Sequence, residues 1–95
     1  MNNTDLTIVI TTFRSEKKIF TCLDSIESNT KIIVIENSNN INFQKNLENK
    51  YKNLKCFLTG NNHGYAKGNN IGLSKVETKY ALVLNPDTVI EKKSL

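Results

Sequence analysis

This chain predicts an α/β fold with a Rossmann-like, mostly parallel sheet, and three observations carry that expectation. Four short apolar runs, at residues 6–10, 32–35, 56–58 and 80–84, have strand length and β-branched or aromatic content. Segments with helical spacing separate them, so the order is βαβαβαβ, which implies parallel strands joined by right-handed crossovers. Each run then leads directly into a polar cluster, and in a parallel sheet those clusters share the carboxyl edge, where open α/β folds bind their ligands.

The elements can be justified in order. After the first run, Ile19, Phe20, Leu23 and Ile26 recur at helical spacing within 15–28, and Ser15 is placed to cap that helix. A second helix is expected over 41–51, where Phe43, Leu47 and Tyr51 stand four apart. A third is expected over 64–76 despite its glycines. The last run, Tyr80-Ala81-Leu82-Val83-Leu84, carries no charge and reads as a strand buried on both faces. Pro86 ends its ladder and biases Asn85 toward an extended backbone, which leaves Asp87 just past the strand's carboxyl end.

Ninety-five residues suit one domain with one core, and the expected domain is 1–95. The net charge of +4, from 13 Lys and Arg against 9 Asp and Glu, is mild, and the lysines read as scattered, solvated faces. That pattern argues against nucleic acid as a partner. Cys22 and Cys56 have no Cys or His at metal-ligand spacing, which argues against zinc and for free buried thiols. No apolar run approaches a membrane span, and residues 1–7 lack the basic and apolar regions of a leader, so a cytoplasmic location is expected.

Site candidates follow from the polar clusters. Thr11 and Thr12 would either cap the following turn or meet a base or ribose, and Phe13 and Arg14 continue the same loop. Glu36 could accept hydrogen bonds from an imide or ribose hydroxyls, or simply end a strand. Gly64, Gly68 and Gly72 form one smooth helical stripe, which a packed strand, a nucleotide or sugar at the helix start, or both together would approach closely; Asn69 and Asn70 add amides beside it. The stripe matches neither the dinucleotide fingerprint nor a phosphate loop. His63 is the only histidine and sits in a loop, where service as a general base is the lesser reading. Asp87 suits a hard divalent cation, which takes one or two carboxylates, waters and phosphate oxygens.

At these residues the sequence resembles the donor-binding half of glycosyltransferase family 2, inverting enzymes of the GT-A fold, from about Thr7 to Thr88. Thr7-Ile-Val-Ile-Thr-Thr-Phe-Arg resembles the family's first strand and nucleotide loop, and Ile33-Val-Ile-Glu-Asn-Ser its second strand with a base-contacting acid, here Glu in place of the usual Asp. Asn62-His-Gly-Tyr-Ala-Lys-Gly-Asn-Asn-Ile-Gly is similar to the segment whose helix start approaches the donor. Leu84-Asn-Pro-Asp-Thr resembles the metal-binding D-x-D position with Asn85 in place of its first Asp, as in rhamnosyltransferase-like members.

The resemblance implies a dTDP- or UDP-sugar donor, contacted by Thr11, Thr12, Phe13, Glu36, Asn62, Gly64, Gly68, Asn70, Asn85 and Asp87. It also implies Mg²⁺ or Mn²⁺ on Asp87, and a saccharide or lipid-linked acceptor in surface polysaccharide synthesis, met at the inner membrane face. The family's catalytic base lies well downstream of the metal motif, so it is expected beyond Leu95 and the 95 residues are expected to bind rather than catalyse. A non-catalytic nucleotide-binding module and a ligand-free interaction domain are the alternatives.

Overall fold

Among the described residues seven elements alternate in the expected order: β1 (Leu6–Thr12), α1 (Ile19–Asp24), β2 (Lys31–Glu36), α2 (Ile41–Lys50), β3 (Leu54–Leu58), α3 (Tyr65–Leu73) and β4 (Tyr80–Leu84). The structure, a computed structural model, describes residues 5–91, so the first and last four residues of the expected domain lie outside the described residues. Every strand pair is parallel, and the order across the sheet is β3-β2-β1-β4. The chain winds outward from β1 to β3 and then returns to the other side of β1. That reversal puts the topological switch point between the carboxyl ends of β1 and β4.

The alternation of side chains along each strand splits the sheet into two faces. On one face Leu6, Ile8, Ile10, Ile32, Val34, Leu54 and Cys56 form the main core with Ile19, Cys22, Leu23, Ile26, Phe43 and Leu47 of the α1 and α2 region. On the other face α3 lies over β1 and β2. A Cβ on Gly72 would stand 2.4 Å from Val9 Cγ1 and 3.2 Å from Ile35 Cγ1, and one on Gly68 would stand 2.3 Å from Thr11 Cγ2. The strands are thus what approaches the stripe at Gly68 and Gly72, and larger side chains there would lift α3 off the sheet.

Two expectations need correction. The first helix is confined to Ile19–Asp24 rather than 15–28. Lys18 N and Ile19 N both donate to Ser15 O, and Ser25 N and Ile26 N donate to the carbonyls three residues back, so tight turns flank one short α-helical segment. Ser15 does not cap it; its hydroxyl donates to Phe13 O at 3.4 Å. The last strand is not buried on both faces. Leu82 and Leu84 pack on the core, but Tyr80 is 46% and Val83 38% exposed. The physical reason is topological: among the described residues β4 pairs only with β1 and forms an edge, and α3 covers β1 and β2 instead.

Candidate functional site at the carboxyl edge

β1 ends in two threonines that point to opposite faces. Thr12 Oγ1 donates to Glu36 Oε1 at 2.6 Å, its cross-strand neighbour in the parallel register, and the Ser38 hydroxyl donates to the other carboxylate oxygen. Thr11 Oγ1 donates to Asn69 Oδ1 at 2.6 Å, which fastens α3 to the same strand end. Glu36 is only 1% exposed, and Thr11 and Thr12 are buried with it. These three residues, with Gly68, therefore lie beneath the rim and brace it.

Asn37, which the sequence reading placed only within a polar cluster, has a larger part in the edge. Its backbone N–H donates to Thr12 O at 2.8 Å, its Nδ2 donates to Gly64 O at 3.0 Å, and its Oδ1 accepts from Thr59 Oγ1 at 2.9 Å. One buried amide thus ties together the ends of β1, β2 and β3 and the residue that opens α3. Gly64 has φ +82°, a left-handed conformation natural to glycine, and its N–H is accepted by Asn62 Oδ1 at 3.1 Å. Asn70, by contrast, stands about 180° around α3 from the sheet-facing glycines and is exposed. Asn69 is the α3 amide that reaches β1.

Asp87 sits on a turn built for display. Pro86 is buried, Asn85 and Asp87 are exposed, and Thr88 N donates to Asn85 O at 3.0 Å, with proline at the second turn position that suits its fixed φ. Helix α1 holds the turn from both sides: Cys22 Sγ lies 3.8 Å from Asn85 O, and Ser25 Oγ accepts from Ile90 N at 2.9 Å. Burial, and then the nearby Asp87 charge, push the Cys22 thiol up from 9.0 to about 11. A cleft of about 230 Å³ opens beside the turn, lined by Ser15, Lys18, Tyr65, Asn85, Pro86 and Asp87.

Of the sequence candidates, the fold brings Asn85 and Asp87 to this cleft. Phe13, partly exposed, stands at the end of β1 under the Arg14 guanidinium, 5.1 Å from its ring centroid, and Arg14 turns the chain with φ 55°. Lys18 and Tyr65 line the cleft without having been singled out in the sequence. Lys18 is one of many lysines, and only the short turn after Ser15 carries it there. Among the described residues no group of three or more His, Cys, Asp or Glu side chains could hold a metal ion. His63 is exposed in the β3–α3 loop and does not line the cleft.

Comparison with known proteins agrees with this arrangement. The low-salt glycan biosynthesis hexosyltransferase Agl10 of Haloferax volcanii is 30% identical over 95 residues, covering 96% of this chain and 30% of its own length. An uncharacterized glycosyltransferase of Haemophilus influenzae is 29% identical over 102 residues, covering all of this chain and 41% of its own. The chain thus spans well under half of either relative. In fold it matches S. aureus TarS 1–349, with a TM-score of 0.76, 23% identity, and coverage of 94% of this chain and 29% of that one. The same protein in complex with UDP gives 0.73 at 24% identity, with 92% and 28% covered. The GT-A arrangement expected from the sequence is therefore the one observed. The model of glycosyl transferase family 2 matches residues 7–95, from the first strand through the Asp87 turn, and this chain belongs to that family.

Proposed function

We propose that the chain is the donor-binding part of a metal-dependent, inverting glycosyltransferase that takes a dTDP- or UDP-sugar. Its acceptor would be a saccharide or lipid-linked glycan of surface polysaccharide synthesis, reached at the inner membrane face. The observation that carries this reading is the display of Asp87 at the switch point, on a turn fixed by Pro86 and held by α1, beside a cleft that also receives Lys18 and Tyr65. A UDP complex of a protein with the same fold supports nucleotide diphosphate as the ligand class.

The donor set fits a divalent cation that depends on its substrate. Mg²⁺ or Mn²⁺ is content with one or two carboxylates, waters and phosphate oxygens, and Asp87, with Asn85 beside it, offers one carboxylate in the open. When bound, the cation would neutralise the diphosphate leaving group. The chain's own part is to position. Lys18 adds a positive charge beside Asp87 for the diphosphate, and the Tyr65 ring and the start of α3 shape the facing wall. Phe13 and Asn62 stand at the rim for the base and ribose, over the braced layer of Thr11, Thr12, Glu36 and Gly68. The relatives are longer than the matched region, and on this reading the catalytic base that accepts the acceptor hydroxyl's proton would belong to a further part of the full enzyme.

Calorimetric titration with UDP and with dTDP, in the presence of Mn²⁺, tests the reading. At least one should give heat with the parent chain. Asp87→Ala should lose at least tenfold in affinity and keep the parent melting temperature within about 2 °C, because the residue is exposed. Equal binding by the variant would remove Asp87 from the site.

A further inference from the structure

A second hollow is at the other end of the sheet. A cavity of about 280 Å³ lies at the amino edge and is lined by Lys31, Lys52, Lys55 and Lys75, with Glu77 the one acid and Ile33 among the apolar residues of its described lining. Its origin is the length of α3. That helix has nine residues, and Gly72, near its end, packs on Val9 and Ile35; nearer the amino ends of the strands the segment after α3 takes over, with Thr78 hydrogen-bonded to Thr7 at 2.7 Å and Lys75 and Glu77 on the wall of the hollow. Lys31 and Ile33 alternate onto the same face as Ile35, and Lys55 is the register partner of Ile33.

The lysines come from β2, from the turn before β3, from β3 itself and from the segment after α3. In sequence they read as scattered, solvated charges; the fold corrects this by gathering four of them around one concavity. Four lysines against one glutamate give the described lining of this hollow an excess of positive charge. An apolar floor focuses their field outward. Ammonium groups on long stems adapt to phosphate oxygens as point charges, without the planar geometry that arginine demands. The Lys75 ammonium is steadied 4.3 Å over the Phe57 ring centroid.

We propose that this hollow is a second anion site, separate from the carboxyl edge, for a ligand that bears a phosphate or diphosphate group. The cavity, about 280 Å³, has room for a compact phosphate or diphosphate head group. The site does not depend on the reading of the Asp87 cleft.

The test is an NMR titration of the chain with inorganic pyrophosphate, with EDTA present so that no metal-linked binding at Asp87 contributes. Amide shifts are expected at Lys31, Ile33, Lys55 and Lys75 and not at Asn85 or Asp87. The Lys31→Glu/Lys55→Glu variant should bind at least tenfold more weakly, whereas Lys17→Glu/Lys45→Glu, with the same change in net charge, should bind like the parent. If the charge-reversed variant fails to fold, Lys31→Gln/Lys55→Gln serves in its place. A second arm measures cosedimentation with phosphatidylcholine vesicles with and without phosphatidylglycerol. Pyrophosphate binding alone identifies a free phosphate compound as the ligand source, and binding to anionic vesicles that Lys31→Glu/Lys55→Glu abolishes identifies a lipid head group. Response to neither probe, or equal loss in both charge variants, would overturn the proposal. UDP titrated with Mn²⁺ reports on the other edge, so the two sites succeed or fail separately.

Discussion

Glu36 and Asn37 are neighbours in the chain that serve opposite sides of the carboxyl edge. Glu36 collects the hydroxyls of Thr12 and Ser38, and Asn37 joins Thr59 to Gly64. Both are 1% exposed, and the Thr12–Glu36 bond is fully buried while the others reach partners nearer the surface. Asn37→Ala would remove both side-chain bonds, while Gly64 O keeps the Gly68 N–H and the Thr59 hydroxyl keeps Asn61 O, and should cost about 1–2 kcal/mol in urea unfolding. Asn37→Asp keeps an acceptor for Thr59 but sets a carboxylate oxygen against the Gly64 carbonyl beside Glu36, so it should be at least as destabilising as Asn37→Ala at neutral pH; parent-like stability in Asn37→Ala would show that the bridge contributes nothing. The sequence announced Glu36 as an acid ending an apolar strand. It could not show that the carboxylate turns inward, because Thr12 meets it only through the parallel register of β1 and β2.

Helix α3 was legible as a helix but not in its facing. Three glycines at spacing four define a stripe, yet the stripe alone does not say whether a ligand or a strand lies against it; contact with Thr11, Val9 and Ile35 decides for the strand at Gly68 and Gly72. Gly72→Ala therefore pits a helix-propensity gain of about 1 kcal/mol against an overlap at 2.4 Å with a buried valine. The overlap should win, and net destabilisation of about 1–2 kcal/mol is expected by thermal or urea denaturation. Asn70→Ala, on the opposite face, should be neutral or slightly stabilising, by up to about 0.7 kcal/mol. A stabilised Gly72→Ala would mean that α3 does not rest on β1 in this register. Strand β4 failed the expectation of burial for a related reason. An uncharged run reports that a strand can be buried, while the element that covers it is set by the winding of the chain.

The whole molecule has two chemically distinct ends, with the Asp87 cleft at the carboxyl edge and the lysine hollow roughly 20 Å away at the amino edge, a separation set by strands of five to seven residues. Between them the core holds both cysteines as buried free thiols. Burial raises Cys22 to about 11 and, with Glu36 and Glu48 nearby, Cys56 to about 12, both from 9.0. In the unfolded chain these thiols ionise near 9.0 and in the folded chain they stay protonated above it, so the folded state holds more protons over that window. Their stabilising effect is complete below pH 9 and is lost as pH rises toward 11–12. The melting temperature should fall across that interval and fall less in Cys22→Ala/Cys56→Ala, even though that variant starts lower. Among the described residues no helix is long and apolar enough to cross a membrane. The central claim, that the carboxyl edge binds a nucleotide diphosphate through Asp87, is tested most directly by paramagnetic broadening from Mn²⁺ in the presence of UDP or dTDP. Nucleotide-dependent loss of the Lys18, Tyr65, Asn85 and Asp87 amide signals, with Lys31 and Lys55 left sharp, is the expected result; broadening centred anywhere else, or none that depends on nucleotide, would contradict it.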